Sequence, residues 1–72
     1  MKFIRVTSSE TIQLLNPAHI VMVRTMHEKD REPQYGQSRD NHSNSVIELA
    51  GWTIRVKETL DEIEEKIAAA AT

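Results

Sequence analysis

Residues 46–71 constrain the fold of this chain more than any other stretch, because two alternating runs, a tight turn and a helix start follow one another without slack. Ile47 and Leu49 share one face of the first run, and Trp52, Ile54 and Val56 share one face of the second, the period-two pattern of half-buried strands. Ala50-Gly51 lies between them, and glycine supplies the positive φ that a tight, bulged hairpin uses. Thr59-Leu60-Asp61-Glu62 then spells a capping box, in which the Thr hydroxyl accepts from the amide of Glu62 and the Glu carboxylate reaches back to the amide of Thr59. Leu60, Ile63, Ile67 and Ala70 recur at helical spacing and form one apolar stripe, so a single amphipathic helix ends the unit.

The earlier residues supply strands for this unit to pair with. In residues 2–7, Ile4 and Val6 alternate with Phe3, Arg5 and Thr7; Ser8-Ser9 is a polar turn, and residues 10–15 alternate again, Ile12 and Leu14 against Thr11, Gln13 and Leu15. A first hairpin is expected, ended by Asn16-Pro17 because proline cannot donate to a ladder. Ile20-Val21-Met22-Val23 is apolar on both faces, which predicts a short central strand beneath the helix, or one covered on its second side by another subunit. The fold class is therefore α+β: one domain over residues 1–72, with a mainly antiparallel, twisted sheet of about five strands and one C-terminal helix packed on it.

Residues 26–45 break the pattern with seven charged residues, Pro33 and Gly36, and only Met26 and Tyr35 as large apolar side chains. Connections this long without structure of their own are uncommon in small domains and are usually functional or disordered. A long hairpin arm or a loop held against a partner is expected here.

At 72 residues the core is marginal, and with no cysteine neither disulfides nor thiolate metal sites are available, which leaves homo-oligomerisation as the expected reinforcement. The first residues carry no continuous apolar run and no segment approaches a membrane span, so a cytoplasmic protein is expected. The net charge is −2, distributed as +2 over residues 1–25 and −3 over residues 57–72. An acidic helix end and a mildly basic strand end are unlike a nucleic-acid footprint, which clusters Lys and Arg.

His19, His27 and His42 show none of the spacings that bring two imidazoles to one metal. The serines sit in turns and in the polar stretch with no nucleophile elbow, and Glu62, Glu64 and Glu65 read as a solvated helix face, so neither an enzyme nor a cofactor is expected. Arg31, Tyr35 and Arg39 could form a stacking, basic site for single-stranded nucleic acid, although Glu28, Asp30, Glu32 and Asp40 cancel their charge. The other candidate contact residues are Val21, Val23 and Trp52, on a sheet face that one helix cannot cover; Trp52 fits either a core position or an interface anchor.

Ile12 to Leu15, Asn16-x-x-x-Ile20 and then V-I-E-L-A-G-W-T-I-R-V-K-E-T-L-D-E-I over residues 46–63 resemble the small flagellar FlbD family, whose order is strand, Asn-x-x-x-Ile, strand, then I-x-L-x-x-G-x-x-x-x-V-x-E-S-x-x-E-V leading into a helix. The matched positions are hydrophobic alternation plus Gly51, Val56, Glu58 and Glu62; the family has a short acidic turn where this chain has residues 26–45. The strand-strand-helix ending is also similar to the end of LytTR DNA-binding domains and to many short bacterial and phage proteins. The FlbD resemblance implies a small noncatalytic cytoplasmic protein associated with motility or its regulation. The functional expectation is an oligomeric protein-interaction or adaptor module. A small regulator binding nucleic acid through Arg31, Tyr35 and Arg39, and an oligomer holding a small anion between subunits, are the alternatives.

Overall fold

Strand β4 (Ser45–Leu49) is the centre of the larger sheet, hydrogen-bonded to β3 (Ile20–Thr25) on one side and β5 (Trp52–Val56) on the other, all antiparallel. The computed structural model describes residues 2–33 and 39–71. The β4–β5 register runs unbroken from Ser45↔Val56 to Leu49↔Trp52, closed by Ala50-Gly51, and Gly51 sits at φ +90°, where a side chain would be strained. The hairpin therefore turns tightly without the expected bulge.

Strands β1 (Ile4–Ser8) and β2 (Thr11–Leu15) form a separate two-stranded sheet. The five strands thus divide two and three, where one continuous sheet was the sequence expectation. The sheets meet where the amide of Lys57 donates to the carbonyl of Thr7 at 2.9 Å, and the Glu58 carboxylate accepts from the Thr7 amide at 2.8 Å and from its hydroxyl at 3.1 Å. Helix α1 (Leu60–Ala70) starts at the expected capping box, with both reciprocal Thr59 and Glu62 hydrogen bonds formed. It packs against β1 and β3, and the amide of Lys2 donates to the carbonyl of Ala70. The core gathers Ile4, Val6 and Leu15 from the small sheet, Ile47, Leu49, Ile54 and Val56 from the large one, and Ile63 and Ala70 from the helix.

Two local features correct the sequence expectations. Strand β3 is an edge strand, not a central one: its register steps from Ile20↔Leu49 to Met22↔Glu48, so Val21 is the extra residue of a β-bulge. The bulge puts Ile20 and Val23 together against the core and leaves Val21 72% exposed, which accounts for an apolar run with no alternation. Trp52 is not a core residue beneath the helix; it opens β5 opposite Leu49 and is 50% exposed.

Among the described residues the β3–β4 ladder stops at Thr25↔Ser45; across the connection 26–45 beyond it, the amide of Met26 donates to the carbonyl of Asn44 and the amide of Asp40 to the carbonyl of Arg31 at 3.0 Å. The described parts of the connection fold back over the outer face of the large sheet. Arg24, Val46 and Arg55 lie side by side on that face; Arg24 pairs with Asp30 and Arg55 with Asp40 at 3.7 Å, and Val46 between them is only 3% exposed. A 3-10 turn (Glu28–Arg31) presents Asp30 for this contact.

Candidate functional site

The chain's own covering runs out on the first hairpin. Alternation turns Phe3, Arg5 and Thr7 away from the side of Ile4 and Val6, and the register sets Leu14 opposite Arg5 and Ile12 opposite Thr7. Phe3 is 60%, Ile12 64% and Leu14 56% exposed. Apolar side chains scattered singly on a surface mean little, but three on one face of a two-stranded ribbon make a patch of the kind that marks an interaction site. Arg5, in its middle, is exposed and has no ion pair among the described residues.

A second unfilled surface lies between β3 and α1. Val23, Leu60, Ile63, Ile67 and Ala68 line an open groove of about 490 Å³ with Glu64 as its one charged wall residue. Because β3 bonds only to β4, its other edge is unpaired among the described residues, beside the bulged Val21 and the exposed Met22. Unpaired apolar edges are places where another chain can add.

Of the residues singled out from sequence, Val23 and Trp52 lie on the same side of the large sheet but on different strands, and Val21 is set apart from both. Val21 is on the bulge, Val23 lines the groove, and Trp52 stands two strands away, in the row Ile20, Leu49, Trp52. Arg31 and Arg39 are both engaged within the connection. The Arg31 guanidinium donates to the carbonyls of Asp40 at 3.2 Å and Ser43 at 3.0 Å, and Arg39 pairs with Glu28 and donates to Asn41. Tyr35 lies outside the described residues.

The same connection carries the shifted carboxyls. The paired Arg24 guanidinium, helped by the His27 amide, holds Asp30 down to about 2. Burial alone would raise Asp40, but hydrogen bonds from the Ser43 amide and hydroxyl and the His42 amide, with the charge of Arg55, leave it below its ordinary value. Glu28 is lowered by its bond from Arg39. Beside these groups a cleft of about 670 Å³ opens between the Ser9-Glu10 turn, Asp40 and Arg55. Its lining charges are of both signs: Asp40 pairs with Arg55 and accepts from the Ser43 hydroxyl at 2.8 Å, and Glu10, Arg39 and Lys57 also line it.

Sequence reasoning missed Phe3, Ile12, Leu14 and Met22 as surface groups. The signal was present in the first hairpin: a two-residue turn at Ser9-Glu10 forces Ile4 opposite Leu15 and so turns Ile12 and Leu14 outward. No known protein family, curated protein or solved structure matches this chain. Among the described residues no helix is long and apolar enough to cross a membrane, and no three metal-ligating side chains come together.

Proposed function

We propose that this protein is a small noncatalytic interaction module of the cytoplasm that works as a homo-oligomer and through protein contacts. The observation that carries the proposal is the exposed apolar face of the first hairpin, Phe3, Ile12 and Leu14. A 72-residue chain without disulfides gains little from its own core, and surface of this kind is what association would bury. The groove along α1 and the half-exposed Trp52 support the same reading. The FlbD-like run over residues 46–63 adds a motility setting to the proposal.

Sedimentation velocity over a concentration series tests it. The expected result is a mass above the 8.2 kDa of one chain that falls when Leu14→Ser is introduced. A strictly monomeric species into the submillimolar range overturns it.

A further inference from the structure

The two uncovered surfaces carry opposite charge. The hairpin face holds Phe3, Ile12 and Leu14 around Arg5, in a hairpin whose charges, Lys2 and Arg5 against Glu10, sum to +1. The groove holds Leu60, Ile67, Ala68 and Val23 around Glu64, on a helix segment of net charge −3. We infer that one copy of the chain seats its hairpin face on the α1–β3 groove of the next, with Arg5 meeting Glu64, so that copies join head to tail. This rests on the reading of the protein as a self-associating interaction module and names the surfaces involved.

Charge decides between this arrangement and the symmetric ones. Hairpin against hairpin would bring Arg5 against its own counterpart, and groove against groove would bring Glu64 against Glu64. Like charges set opposite each other across an interface oppose association, whereas the hairpin-to-groove contact pairs unlike charges around apolar surface on both sides. The first hairpin turns its patch away from the core while the groove opens beside the edge strand β3, so each copy has one donor surface and one acceptor surface. Contacts of this heterologous kind close into rings or extend as filaments according to the rotation between copies.

Charge reversal at the two positions tests the arrangement. Arg5 and Glu64 are both exposed, and circular dichroism would verify that Arg5→Glu and Glu64→Arg keep the fold. By sedimentation velocity at low salt, each single variant should associate about tenfold more weakly than the wild type. The 1:1 mixture should recover association, because Arg5 of one variant then meets Glu64 of the other and the reversed pair meets in turn; the double variant should also associate by itself. Wild-type association with both single variants unaffected, or weakened variants that mixing does not rescue, would overturn the head-to-tail arrangement and leave the interaction reading standing. A wild-type chain that remains monomeric would overturn both.

Discussion

Removing the Glu58 carboxylate should unfasten the two sheets from each other. Among the described residues the hydrogen bonds between the sheets converge on Thr7: its carbonyl accepts from Lys57, while its amide and hydroxyl donate to Glu58. Both residues are half-buried, so the freed amide of Thr7 can be rehydrated in part. A hydrogen bond to a charged acceptor contributes about 1.5–3 kcal/mol when sheltered, and partial solvent access brings Glu58→Ala to a loss of about 1–2 kcal/mol. A domain of this length has on the order of 4–10 kcal/mol in total, so the loss is a large fraction. With a urea slope of about 1 kcal/mol/M, the midpoint should fall by about 1–2 M. Glu58→Gln keeps an acceptor oxygen and should lose roughly half as much, and Thr7→Val, which removes only the hydroxyl, should lose less than Glu58→Ala. The measurement is made at a dilution where association does not add to stability. An unchanged midpoint for Glu58→Ala, or an equal fall for the Gln variant, would refute the junction as described.

Other expectations follow from the connection and the first turn. Asp30 is held at about 2 in the folded chain against about 3.9 for a free Asp, so its contribution is complete above pH 4 and is lost as the pH falls toward 2. Acid titration of unfolding should show that loss, and Asp30→Asn should flatten it; an identical acid limb in the variant would contradict the pairing with Arg24. Ser9 and Glu10 both occupy the left-handed region, at φ 48° and 66°, as a two-residue hairpin turn requires but neither residue prefers. Replacing them by Asn-Gly should stabilise the chain by about 0.5–1 kcal/mol in urea unfolding, and a lower midpoint would mean that the turn is not of this type.

What was legible in the sequence was local. The capping box at Thr59, the stripe through Ile63 and Ala70, and the Ala50-Gly51 turn each depend on residues a few positions apart, and each stands where the spacing put it. What was not legible depended on distant partners. Val46 looks like an outward strand position and is buried because Arg24 and Arg55 draw Asp30 and Asp40 of the polar connection across it. Ile20 to Val23 looks like a strand covered on both faces, whereas a one-residue bulge lets an edge strand turn two of those residues to the core and leave Val21 outside. Leu14 and Leu15 are adjacent and equally apolar, so alternation alone could not say which faced inward; pairing with Ile4 settled it for Leu15. Arg31 offered itself as a binding residue, yet its Nη1 donates to both the Asp40 and Ser43 carbonyls, a role that no spacing encodes.

Hydroxyl-radical footprinting of the wild-type chain, at a dilution that keeps it monomeric and again at a concentration where it associates, tests most directly whether the exposed apolar surface is a contact surface. Phe3 and Leu14 should react readily in the dilute sample, as their exposure requires, and become protected on association, while buried Ile47 stays unreactive in both. Phe3 and Leu14 equally reactive at both concentrations would contradict the account.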